Sequence, residues 1–233
     1  MIAPPSGEQR EDTLTRARRR ATWLLVAAAA LGSVANIAAM TVAAIAAREL
    51  LGDAALAGAS TTTIVVGSAV GTSVLAWLMV RSTRRLGLGL GMLVAMSGGL
   101  ISAWAVATGT FVALLGGTML LGFGSASTQL SRYAAADMAA PEARAQAIGL
   151  VVWAGTAGAI IGPNLAPLAA SMAGDLGAAE LAGPFVVAAI IMALASGLLF
   201  TLLRPDPYEL AHESSRIEPG DEVSEPMWRI MRR

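Results

Sequence analysis

The feature of this sequence that most constrains its fold is a series of long stretches that hold no charged residue. They lie between Trp23 and Leu203, and several are longer than 20 residues. A helix of about 20 residues crosses the hydrocarbon core of a bilayer, which is about 30 Å thick. The stretches are continuously apolar rather than alternating, and backbone groups in lipid must be bonded internally. Helices are therefore predicted rather than barrel strands.

Six membrane-crossing helices can be placed, which predicts an all-α, polytopic membrane protein. The predicted spans are about 23–47, 55–80, 86–107, 110–136, 146–171 and 183–203. Composition agrees, because 14% of the residues are charged, whereas soluble domains carry about 25%. The predicted organisation is an arginine-rich amino-terminal segment over 1–22, a six-span bundle over 23–203, and a polar segment over 204–233, which is a cytoplasmic tail or a truncated interdomain linker.

Arginine is distributed unevenly between the two sides of the predicted bundle. Five arginines fall within residues 1–22, and Arg81, Arg84 and Arg85 follow the second span. The loops predicted on the opposite side hold Arg48 alone. Since positively charged loops stay on the cytoplasmic side, both termini are predicted to be cytoplasmic. The predicted location is the cell inner (plasma) membrane, which the chain crosses several times.

Several function classes are excluded by residue types that the sequence lacks. It has no cysteine and no lysine, and its single histidine is His212. These absences rule out thiolate chemistry, a phosphate-binding loop with its lysine, and a histidine metal cluster. We therefore expect no enzyme, no catalytic residue, no metal and no cofactor. The expected partners are the lipid bilayer and a small-molecule solute, and nucleic acid is not among them.

Polar side chains inside the predicted spans are the candidates for contact with a solute, because they are costly in lipid. They are Asn36 near the middle of the first span, Gln129 in the fourth and Asn164 in the fifth. An interhelical hydrogen bond of about 1 kcal/mol is the structural alternative for Asn36.

Charged residues at the span ends form a second group of candidates, for gating or for a charge network in the loops. The group comprises Arg81, Arg84, Arg85, Arg132, Asp137 and Arg144. Asp137 can pair with arginines of the neighbouring loop. Plain anchoring at the membrane interface is the alternative for Arg132.

Glycine and proline residues within the spans form a third group, which predicts how the helices pack and bend. Gly158, Gly162 and Pro163 lie in the fifth span, where glycine and proline favour a bend that frees a backbone carbonyl and acts as a hinge. Pairs of glycines four residues apart also allow helix backbones to approach closely in lipid, as at Gly67 and Gly71. These pairs predict a compact bundle.

The fourth and fifth spans carry the motifs that identify a family. The matching segments are Gly122-Phe123-Gly124, Gln129 to Asp137, Pro141, Arg144, Ala147-Ile148-Gly149, and Gly158-Ala159-Ile160-Ile161-Gly162-Pro163. Together they resemble the amino-terminal six-helix half of the major facilitator superfamily, and the last segment resembles the antiporter motif of that family's fifth helix. The resemblance implies a half bundle of six helices that transports a small solute by alternating access, with efflux by proton antiport as an analogy.

The resemblance also implies a partner and shows two departures. Transporters of this family have two six-helix halves, so a second half or a homodimer partner is expected. Val80 stands where the family's signature loop carries an aspartate, and Thr118 stands about where many drug exporters carry an arginine. Two alternatives remain open at this point: a non-transporting membrane subunit or scaffold with the same fold, and a truncated transporter fragment.

Overall fold

A computed structural model describes residues 7–52, 57–139 and 141–203 of the chain. It contains six long helices: α1 Gly7–Leu51, α2 Ala57–Arg81, α3 Arg84–Thr108, α4 Phe111–Met138, α5 Arg144–Asp175 and α6 Ala182–Leu202. A short 3-10 turn, Pro141–Ala143, leads into α5. All six helices are long and apolar enough to cross a membrane, and no strand occurs within the described ranges. The predicted all-α, six-span fold is confirmed.

Most helices extend beyond the predicted spans, and α1 extends furthest. It begins at Gly7, so the described part of segment 1–22 is helical and continuous with the first span. The apolar run marks only the part of a helix that suits lipid, whereas Arg, Glu and Leu are good helix formers outside it as well. The predicted polar segment 204–233 lies outside the described residues.

The helices form two groups of three, α1–α3 and α4–α6, with α1 and α4 at the centre. The first helix of each group packs against the second and third helices of the other group: α1 contacts α5 and α6, and α4 contacts α2 and α3. The central helices touch each other, and α3 packs against α6. The pairing of α2 with α4 thus has a counterpart in the pairing of α5 with α1, which gives the bundle an internal pseudo-twofold relation.

Glycines bring the equivalent helix pairs close together. A Cβ added at Gly67 of α2 would collide with the backbone carbonyl of Met119 on α4. Likewise, a Cβ added at Gly158 of α5 would lie 2.5 Å from the Cβ of Ser33 on α1. Backbone approach of this kind replaces the hydrophobic drive that helices lack in lipid. The compact bundle predicted from glycine spacing is confirmed at these contacts.

Buried hydroxyl groups tie the helices together at three places. Ser127 of α4 donates to the carbonyl of Leu88 on α3 at 2.8 Å, and Ser196 of α6 donates to the carbonyl of Gly89 at 3.0 Å. The carbonyls of α3 therefore accept bonds from both neighbours within one turn. The hydroxyls of Thr63 and Thr118 are 2.7 Å apart and join α2 to α4. Each such bond contributes about 0.6 kcal/mol in a membrane bundle.

The loop between α2 and α3 is fixed by a helix cap. The side chain of Thr83 accepts a hydrogen bond from the backbone N–H of Leu86 at 3.2 Å, which satisfies one free donor at the start of α3. At the other end of α3, Gly109 adopts a φ of 70°, a conformation that favours glycine. The cap and the glycine turn set where α3 starts and stops relative to its neighbours.

Candidate solute path and charge network

Asn36 lies near the middle of the α1 membrane span, Arg18–Leu51. The residue is half-buried, and its amide oxygen Oδ1 is shielded from solvent and has no hydrogen-bond partner among the described residues. An unpaired buried polar group costs about 1–3 kcal/mol. The interhelical bond considered as the structural alternative is therefore not formed by this oxygen, which leaves an acceptor at mid-depth in the bundle.

Gln129 and Asn164 are both exposed but differ in how their amides are used. The Gln129 Nε2 lies 3.4 Å from the Ser68 hydroxyl on α2, which is a long hydrogen bond. The Asn164 Nδ2 donates to the carbonyl of Ile160 in its own helix at 2.7 Å. No hydrogen bond joins Asn36, Gln129 and Asn164 to one another within the described chain. Their shared role in a solute path stays a prediction.

Among the described residues, the candidate charge network contains one ion pair. Arg84, at the start of α3, pairs with Asp137, at the end of α4. Their side chains are 27% and 43% exposed, so the pair contributes at most about 1 kcal/mol. The pair joins the start of α3 to the end of α4.

The other charged candidates are not joined to this pair in the described structure. The Arg81 guanidinium lies over the Trp77 ring, 4.5 Å from its centroid. The Nε of Arg85 is buried without a partner. Arg132 is half-buried and Arg144 is exposed. Their role in gating stays a prediction.

The proline-containing fifth helix is continuous over its whole length. It runs as one α-helix from Arg144 to Asp175 with Pro163 and Pro167 inside it. Proline lacks the N–H that would bond the carbonyl four residues earlier, so this part of α5 is locally weakened without being interrupted. Gly158 and Gly162 face α1. The hinge at these residues stays a prediction.

Thr118, together with Thr63, acquires a role that the sequence did not assign. Thr118 is fully buried, and its hydroxyl bonds both Thr63 and the Leu114 carbonyl. The Thr118 side chain thus joins α4 to α2 inside the bundle. A threonine in a charge-free span was the available signal, but its partner on another helix could not be identified from spacing along one helix.

The fold and these groups define a multi-pass membrane protein. Within the described residues it is a bundle of two interlocked three-helix units, with an unpaired amide oxygen near the middle of the first span and charged side chains near the ends of the membrane spans. The family model of the Major Facilitator Superfamily matches residues 22–233. The chain belongs to this superfamily. Its members are transporters rather than enzymes, which confirms the expectation that the chain has no catalytic activity.

Individual relatives give the same family at moderate identity. Over 205 residues the chain is 32% identical to the uncharacterized MFS-type transporter YdeG of Bacillus subtilis (strain 168), covering 87% of the chain and 48% of YdeG. It is 30% identical to YddS of the same strain, covering 85% of the chain and 46% of YddS. It is 31% identical to the riboflavin transporter RfnT of Brucella anthropi, covering 86% of the chain and 50% of RfnT. The chain spans about half the length of these relatives.

Proposed function

We propose that the chain forms one six-helix half of a facilitator-type transporter and takes part in moving a small solute across the membrane by alternating access. The observation that carries this proposal is the family match over nearly the whole chain, together with coverage of about half of each relative. Neither match favours the alternative of a scaffold that does not transport.

A second six-helix unit, or a second copy of this chain, would complete the transporter. The spans of α2 and α5 are the least covered, with 28% of their most apolar part buried, against 61% in α1. Exposed valines recur every four residues along α2, at Val66, Val70 and Val74. On α5 the exposed face holds Ile160, Asn164 and Leu168 at the same spacing. An amide within an apolar stripe suits a protein partner better than lipid alone. The proposal is the same whether the partner is a separate chain or part of a longer polypeptide.

The solute path in this proposal passes Asn36, whose Oδ1 is shielded in the described conformation and would accept a hydrogen bond from the solute in the conformation that opens the bundle at this depth. Gln129 and Asn164 are the further candidates. The acidic residues of the described spans lie at helix ends, including Glu49, Asp137 and Asp175, so a neutral, weakly polar solute fits this path better than a cation. Riboflavin is the first solute to test, because the relative RfnT is a riboflavin transporter by name.

We further propose that both termini are cytoplasmic, following the arginine distribution, and that the Arg84–Asp137 pair steadies one conformation of the cytoplasmic end. Efflux by proton antiport remains part of the proposal by analogy. Because no acid lies at mid-depth in the described spans, a proton would have to be carried by a partner unit.

Reconstitution tests the function directly. The chain is placed in vesicles alone and together with the part of YdeG that it does not match, and uptake of labelled riboflavin and of a panel of neutral solutes is measured with and without a pH gradient. We expect transport only when a second unit is present or when the chain dimerises, and Asn36→Ala should lower it at least tenfold. Absence of both transport and complex formation in every arrangement would refute the proposal.

A further inference from the structure

A cavity of about 820 Å³ lies between the first turns of α1's membrane span and the beginning of α5. This size is within the range of about 300–1,000 Å³ that ligand pockets occupy. Arg18, Arg19 and Trp23 line it from α1, and Gln146 and Trp153 line it from α5. Segments about 130 residues apart in the sequence therefore build one cavity, which the transport proposal does not use.

Arginine supplies the charged groups among the described lining residues of this cavity. Two arginines line it, and no acidic residue is among its described lining residues. Neutral hydrogen-bonding groups stand beside the arginines, including the side chain of Gln146, which is exposed. A guanidinium binds a phosphate with two parallel hydrogen bonds. The cavity is thus suited to a group with net negative charge, whereas the ammonium of a zwitterionic headgroup would find no carboxylate among the described lining residues.

The apolar part of the cavity lies deeper in the membrane. Arg18 is the first residue of the α1 span, and Trp23, five residues further on, lies about 7.5 Å deeper along the helix axis. Trp23 is 54% exposed and Trp153 is 74% exposed. Tryptophan at this depth is typical of the border between headgroups and acyl chains. The arginines near the membrane surface match the anionic part of an amphipathic ligand, and the deeper indole rings match its apolar part. A soluble anion would contact the arginines and leave both indole rings uncovered.

We propose that this cavity, the α1–α5 groove, binds an acidic phospholipid, with the phosphate at Arg19 and the upper acyl chains against Trp23 and Trp153. Basic pockets between transmembrane helices at the arginine-rich side are suited to such headgroups. Because α5 packs along α1 through glycine contacts, a lipid held across both helices also steadies their relative position. The inference is independent of whether the chain transports a solute.

Brominated lipids test the site, because they quench tryptophan fluorescence on contact. The purified chain is reconstituted in phosphatidylcholine vesicles that contain a small fraction of brominated phosphatidylglycerol or brominated phosphatidylcholine. We expect stronger quenching by the acidic lipid. In Trp153→Phe this excess should fall by at least half, and in Trp104→Phe, whose indole is 58% exposed on α3 and does not line the groove, it should persist.

Two matched arginine substitutions distinguish binding in the groove from general attraction of acidic lipid to a basic surface. Arg19→Gln and Arg20→Gln remove the same charge from adjacent exposed positions, but only Arg19 lines the groove. One arginine near an acidic membrane changes binding about fivefold. We expect the preference for phosphatidylglycerol to fall at least fivefold in Arg19→Gln and less than twofold in Arg20→Gln. Circular dichroism of each variant checks that the helices are retained.

Three outcomes would overturn the proposal. Equal loss in Arg19→Gln and Arg20→Gln would indicate diffuse electrostatic attraction without a site. Equal quenching by the two brominated lipids in the unmodified chain would show no preference for an acidic headgroup. Displacement of the brominated lipid by inorganic phosphate or pyrophosphate at millimolar concentration would assign the groove to a soluble anion. Native mass spectrometry of the detergent-solubilised chain gives an independent readout, in which retained phosphatidylglycerol should decrease in Arg18→Gln/Arg19→Gln.

Discussion

The contact between α5 and α1 gives the sharpest test of the packing described above. Gly158 is buried against α1, where an added Cβ would lie 2.5 Å from the Ser33 Cβ and 2.9 Å from the Val34 backbone nitrogen. Neither atom can rotate away, since one is backbone and the other is attached directly to it. In Gly158→Ala the two helices must therefore separate by about 0.9 Å to reach the 3.4 Å of an ordinary contact.

Gly155, one turn earlier on α5, provides a matched control. An added Cβ there would meet only the Ser33 hydroxyl, at 3.5 Å. Both alanine substitutions gain about 0.5–1 kcal/mol of helix propensity over glycine, so this term cancels in their difference. The remaining difference is the cost of overpacking, about 1–3 kcal/mol. Gly162→Ala should fall between the two, because its nearest atoms are at 3.0 Å on the Ile37 side chain.

The assay is reversible unfolding in mixed micelles with an increasing fraction of sodium dodecyl sulfate, followed by tryptophan fluorescence. We expect Gly155→Ala to be the most stable of the three variants, Gly162→Ala to be intermediate, and Gly158→Ala to be the least stable. If Gly158→Ala unfolds at the same detergent fraction as Gly155→Ala, the close approach of α5 and α1 is wrong, and the pseudo-twofold pairing of the helices loses its main support.

Three further predictions concern the ion pair, the buried amide and the orientation. Asp137→Asn should lower the free energy of unfolding by at most about 1 kcal/mol, and the swapped variant Arg84→Asp/Asp137→Arg should recover at least half of the loss in the same micelle assay. Asn36→Leu should leave stability unchanged or raise it by about 1 kcal/mol, because an unpaired buried oxygen is removed, while transport in reconstituted vesicles falls at least tenfold. In this cysteine-free chain, a single cysteine at Ser82 should react with an impermeant maleimide only from the cytoplasmic side, and one at Thr110 only from outside.

Each of these predictions has a control and an outcome that contradicts it. Arg81→Gln combined with Asp137→Asn should be additive, because Arg81 contacts Trp77 instead, and a swapped variant weaker than both single variants would disprove the pair. Gln129→Leu removes an exposed amide and should leave stability unchanged. A loss of more than 1 kcal/mol in Asn36→Leu would show that its oxygen is bonded. Labelling of both cysteines from one side would disprove the six-span orientation.

The site residues show how far reasoning from the sequence reached. The pattern indicated that Asp137 could pair with an arginine of the neighbouring loop, and the structure selects Arg84 among three candidates. Asn164 was grouped with Asn36 because both are amides in apolar spans, yet the Asn164 amide bonds its own helix. Sequence spacing gives a residue's position on its own helix, and it does not reveal which partner group the neighbouring helix presents.

The sequence by itself indicated that most of the chain lies in lipid, that it forms six long helices, and that most arginines lie on the same predicted side of the bundle. These properties depend on the length and charge of each segment, and a segment of about 20 uncharged apolar residues must be a helix in lipid, whatever surrounds it. The family followed from motifs within α4 and α5.

Only the tertiary structure decided which helices touch, and therefore where the sites lie. Lipid tails are as apolar as leucine, so no hydrophobic face marks the buried side of a membrane helix. In the described structure, α1 packs against α5 through Gly158 and Gly162. That packing leaves the Asn36 oxygen unpaired within the described residues and places Arg19 and Trp153 along one groove. Both results depend on contacts between segments that are distant in the chain.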